Sequence, residues 1–146
     1  GTGDAADGRP ARERGGTIYL PAAPADPPSP GTHPAVDLPC RLVFCTCPDA
    51  ATAERLATAL VDERLAACAN LVPGIVSVYR WQGAVQRDAE VLMLLKTRAE
   101  TFDALAARLR ELHPYAVPEI LAVGIDAGSP AYLEWLLAET RAGGAA

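Results

Sequence analysis

Nowhere in the chain is there an uncharged apolar run of about 18 residues, the length at which a helix begins to span a bilayer, so no membrane insertion is expected. Positive charge is scarce: 13 Lys and Arg against 18 Asp and Glu leave a formal net charge of -5. That removes the electrostatic footprint that nucleic acid or an anionic surface would require. Catalytic signatures are missing too. No nucleophile elbow, phosphate-binding glycine loop or HExxH-type zinc motif occurs, so neither catalysis nor an organic cofactor is expected. Histidine is limited to His33 and His113.

What is present fits one globular domain. Half of the 146 residues are hydrophobic and 21% charged, close to ordinary usage. Residues 1–39 are rich in Gly, Pro, Ala, Asp and Arg, with Pro at 21, 24, 27, 28 and 30, and read as a flexible tail. Residues 40–142 form the expected domain and 143–146 a short C-terminal tail. The N-terminal region has no apolar stretch suited to a secretory signal, and Asp4, Asp7 and Glu13 argue against a transit peptide, so a cytoplasmic location is expected. Cys40, Cys45, Cys47 and Cys68 then read as reduced thiols.

The texture changes at Arg41. Residues 42–47 are a short run of strand formers stopped by Pro48, which suits the first turn of a helix. Ala53, Leu56, Ala57, Leu60 and Val61 follow the spacing of one buried helical face. Residues 68–97 read as a long hairpin turning at Gln82-Gly83, and Pro73 requires a bulge or an edge because it cannot donate to a ladder. Phe102, Leu105, Ala106, Leu109 and Leu112 mark a second helix that Pro114 ends. Residues 120–125 give a fourth strand, and Ser129-Pro130 opens a last helix that buries Leu133, Leu136 and Leu137. The order predicts an α+β, ferredoxin-like βαββαβ split unit with an extra C-terminal helix and an extended hairpin. Its open edge strands would be covered by association around a threefold axis, giving a homotrimer.

Cys45 and Cys47 stand two apart on a strand, so both thiols project from one face, as a chelating pair requires. Thiolates suit Cu(I) or Zn, although two alone leave a structural zinc site incomplete, and packing is the competing role for both. Cys68, beside two alanines, is expected in the core. His113 either ends the second helix or serves as a ligand. Glu119 is either a solvated charge or a cleft carboxylate beside Tyr115 and Lys96. Tyr79, Trp81 and Trp135 read as subunit-interface anchors, because the third strand lacks the aromatic and basic pattern of base-stacking sheets. In a split unit the end of the first strand lies beside the start of the fourth, which would bring Cys45 and Cys47 toward residues 113–119.

Six segments in order resemble the CutA divalent-cation-tolerance family. They are Phe44-Cys-Thr-Cys-Pro-Asp49, Leu65-Ala-Ala-Cys-Ala-Asn-Leu-Val-Pro-Gly74, Val78-Tyr-Arg-Trp-Gln-Gly83, Glu90-Val-Leu-Met-Leu-Leu-Lys-Thr97, His113-Pro-Tyr-Ala-Val-Pro-Glu119 and Tyr132-Leu-Glu-Trp-Leu136. The resemblance implies a trimeric ferredoxin-like protein associated with tolerance of divalent metals, with copper bound by some members. In the family copper is assigned to a first-strand cysteine and two adjacent histidines before a Pro-Tyr. Cys45 and His113 match two of these, Leu112 stands in place of the other histidine, and Cys47 is the nearest replacement. The alternative is a nucleotide or small-molecule sensor like the PII signalling proteins, whose long loop between the second and third strands is here the tight turn at Trp81-Gln82-Gly83-Ala84.

Overall fold

A computed structural model describes residues 39–142. The tails expected over 1–39 and 143–146 therefore lie, Pro39 apart, outside the described residues, as does His33. Within them the order is β1 (Cys40–Cys47), α1 (Ala50–Asp62), β2 (Cys68–Trp81), β3 (Ala84–Arg98), a single 3-10 turn (Ala99–Thr101), α2 (Phe102–Leu112), β4 (Leu121–Gly124) and α3 (Pro130–Glu139). The four strands form one antiparallel sheet in the order β2-β3-β1-β4. None of the described helices is long and apolar enough to cross a membrane.

Local chemistry sets the boundaries. Asp49 caps α1, its Oδ1 accepting the Thr52 N–H at 2.7 Å, so Pro48 precedes the cap rather than occupying the first turn. Gln82 and Gly83 both have positive φ, +48° and +79°, the combination that a two-residue turn needs to follow the twist of a hairpin. At Pro73-Gly74 the pairing shifts between Val72 and Ile75, and Gly74 sits at φ +76°. Pro73 thus lies both at a bulge and on an edge strand, because β2 ends the sheet. α3 starts with Pro130 at its first turn, yet the Ser129 hydroxyl makes no capping bond. The fourth strand is shorter than its apolar run of 120–125.

Side-chain alternation divides the sheet into two unlike faces. Val43, Cys45, Cys47, Val91, Met93 and Leu95 face α1 and α2 and form the main core with Leu56, Leu60, Leu105 and Leu109. α3 covers one end of the opposite face, where Cys40, Ala67 and Leu136 make a second, smaller cluster. Arg98 ties α3 down: Nε donates to the Thr140 carbonyl at 3.2 Å and to its Oγ1 at 3.0 Å, and Nη2 donates to the Leu137 carbonyl. Much of the rest of that face is open, with Val72, Leu121 and Val123 exposed beside Asn70 and Lys96.

Cys68 is not a core residue. It begins an edge strand on the open face, half-buried, with Sγ 3.9 Å from Lys96 Nζ and 4.0 Å from Asn70 Oδ1. Its flanking alanines suggested burial, but Cys68 pairs with Lys96 across the strands, and that face is only partly covered.

Candidate metal centre

β1 is the rigid part of the site. It pairs with β3 along all eight of its residues, from Cys40↔Arg98 to Cys47↔Val91, and with β4 from Arg41 to Phe44. Beyond Phe44 the β4 side of β1 has no strand partner, and His113 reaches it there. Pro114 keeps His113 out of helical geometry, at φ -73° and ψ 136°, while its N–H still closes α2 onto the Leu109 carbonyl at 2.8 Å. The helix-ending role and the position beside the thiols therefore belong to one residue.

The donor atoms of Cys45, Cys47 and His113 all lie within 4.8 Å of one another, and Cys47 Sγ stands 4.0 Å from His113 Nε2. Both thiols are fully buried and His113 is 6% exposed. Metal–sulfur and metal–nitrogen bonds of about 2.3 and 2.0 Å at trigonal angles place S and N about 3.7 Å apart, so the set fits a soft cation with sub-ångström adjustment. Oxygen-seeking Mg²⁺ or Ca²⁺ has no partner in it.

His113 is already engaged on both sides. Nδ1 accepts the Tyr115 N–H at 3.1 Å, so Nε2 bears the hydrogen and donates to the Thr46 carbonyl at 2.9 Å. A cation at Nε2 would replace that hydrogen and move it to Nδ1, at the expense of the Tyr115 bond. The Tyr115 ring packs against the imidazole at 4.7 Å, and its hydroxyl donates to Glu90 Oε2 at 3.1 Å.

The two thiols ionise unequally. The adjacent Cys45 thiol, whose Sγ donates to the Thr46 carbonyl at 3.8 Å, holds Cys47 down to about 6, helped by His113 and opposed by burial. The neighbouring Cys47 pushes Cys45 far up, and burial and the negative charges of Glu119 and Glu90 act in the same direction. The two thiols titrate as a pair, with Cys47 the first to ionise.

Two other placements differ from the sequence reading. Lys96 is remote from Tyr115 and Glu119: its Nζ donates to Asn70 Oδ1 at 2.7 Å and lies 5.6 Å from the Tyr132 ring centroid. The partner of Tyr115 is instead Glu90, only 3% exposed. A carboxylate standing directly before the apolar stretch 91–95 within β3 was the visible signal for Glu90. The Thr46 carbonyl gave none, because any residue supplies one.

Residues 41–139 match the family described as CutA1 divalent ion tolerance protein. The divalent-cation tolerance protein CutA of Thermus thermophilus is 50% identical over 99 residues, 68% of this chain and 96% of that protein. The rice (Oryza sativa) protein CutA 1, chloroplastic, is 47% identical over 104 residues, 71% of this chain and 59% of that one. The solved structure of the Thermus thermophilus divalent cation tolerance protein superposes with a TM-score of 0.69 at 49% identity, covering 70% of this chain and 99% of that one.

Proposed function

The chain belongs to the CutA1 divalent ion tolerance family, and from that premise we propose that it binds copper as Cu(I) through Cys45, Cys47 and His113, as a ferredoxin-like homotrimer of the cytoplasm. The observation that carries the reading is the buried set of two thiols and one imidazole with donors within 4.8 Å. Three soft or borderline donors without a carboxylate among them suit Cu(I), whereas structural zinc calls for a fourth ligand. Where the family's histidine pair is reduced to one by Leu112, Cys47 restores the count. The protein is on this reading a binding protein rather than an enzyme. The hairpin turn is two residues long, too short for the mobile loop of a nucleotide sensor.

Competition for Cu(I) against a colorimetric chelator tests the assignment in the parent and in Cys45→Ser, Cys47→Ser and His113→Ala. Each substitution is expected to weaken binding by at least about tenfold, and binding should weaken on acidification because thiolates and a neutral imidazole are required. Equal affinity in all four proteins would end the proposal. Loss in Cys45→Ser and His113→Ala alone would reduce the site to two ligands.

The trimer reading is supported by exposed apolar positions on both sheet edges. Val76 and Val78 on β2, with Val85 beside them, and Leu121 and Val123 on β4 are all more than 45% exposed. Such edges call for cover.

A further inference from the structure

A fully buried donor set poses a question of access, since an ion must reach Cys45 and Cys47 although neither thiol touches solvent. Two of the three donors lie on β1, which is paired to β3 at every residue and packed under α1 and α2. Parting those contacts amounts to unfolding the main core. The third donor, His113, belongs to residues 113–120, which join α2 to β4 without regular structure and include Pro114 and Pro118, residues with no amide hydrogen to give. The low-cost opening is therefore on the His113 side.

Three hydrogen bonds around His113 and Tyr115 help to hold that side shut. His113 Nε2 donates to Thr46 O, Tyr115 N–H donates to His113 Nδ1, and the Tyr115 hydroxyl donates to Glu90, two strands away from β4 in the sheet order. The last ties the segment to β3, a strand other than β1, and the aromatic contact at 4.7 Å carries its restraint to the imidazole. We propose that residues 113–120 are a gate over the Cys45, Cys47 and His113 cluster, and that the Tyr115–Glu90 hydrogen bond is its latch. The inference rests on the metal reading for what the gate admits. Moving the His113 hydrogen to Nδ1 sacrifices the Tyr115 N–H bond, so occupation of Nε2 and loosening of the gate are linked by the same proton.

The four cysteines supply the test without any metal. In reduced native protein a small alkylating agent, followed by peptide mapping, reports each thiol separately. Cys68 is half-buried on the open face and should react first. Cys40 is buried in the separate cluster under α3 and reports opening of the fold elsewhere. In the parent, Cys45 and Cys47 should react faster than Cys40. Tyr115→Phe, which keeps the ring and removes the latch, should accelerate Cys45 and Cys47 about tenfold with Cys40 unchanged. Glu90→Gln, which keeps an acceptor oxygen, should give a smaller rise in the same direction. Hydrogen exchange at the amides of residues 115–117 should rise in step with labelling in Tyr115→Phe, while that of β1 stays as it was. The gate is refuted if Cys45 and Cys47 follow Cys40 in the parent, or if Tyr115→Phe leaves their rates unchanged or raises all three together. Failure of Cu(I) binding would remove the metal reading and leave these rates as they are, so the two failures are distinguishable.

Discussion

Stability should rise with pH between about 6 and 9 because of the thiol pair, and the slope should vanish in Cys47→Ser. An unfolded thiol titrates near 9.0, while folded Cys47 is held at about 6 by the adjacent Cys45 thiol and His113. Its pKa is depressed on folding, so its contribution is complete above the unfolded value and is lost as pH falls through 6. Cys45 shifts the other way. Its contribution is complete below about 9 and is lost as pH rises further, because the unfolded chain then binds fewer protons than the folded one. The two together predict a maximum near pH 9. One proton's difference is worth about 1.4 kcal/mol per pH unit, a ceiling of about 4 kcal/mol across the window. Coupling between the two thiols reduces this, and a rise of about 2 kcal/mol is expected. Urea denaturation under reducing conditions, at fixed protein concentration and a series of pH values, measures it in both proteins. Superimposable pH profiles for parent and Cys47→Ser would show that no thiolate is stabilised in the fold.

Two further outcomes follow from the packing. Arg98→Met keeps the apolar stem and removes the donors to Leu137 and Thr140, so urea should report a loss of about 2–4 kcal/mol. The ion pair with exposed Glu100 adds little to that, and a change below about 0.5 kcal/mol would mean that α3 does not depend on this tie. Light scattering of the parent at micromolar concentration should give three times the chain mass, and a single-chain mass would leave the exposed edges of β2 and β4 without their proposed cover.

Much of the fold was legible because it is written in local rules. Period and punctuation located α1, the turn at Gln82-Gly83, the bulge at Pro73-Gly74 and the end of α2 before Pro114, since each depends on residues adjacent in the chain. Spacing of two on one strand also placed the thiols of Cys45 and Cys47 on a common face. Burial was less readable. Cys68 looked like a core residue from its neighbours, yet its environment is set by Lys96, 28 positions away, and by how far α3 extends over that face.

The sequence by itself determined the order of the elements, the family and the three candidate donors, because periodicity, turn chemistry and motif order are properties of the chain read along its length. Only the tertiary structure decided that His113 points Nε2 at the Thr46 carbonyl beside Cys47 and that Tyr115 is fastened to Glu90 rather than placed near Lys96. Those relations are distances between groups 25 to 67 residues apart, fixed by strand register and by the path of residues 113–120 over the end of β1, and no local pattern encodes them.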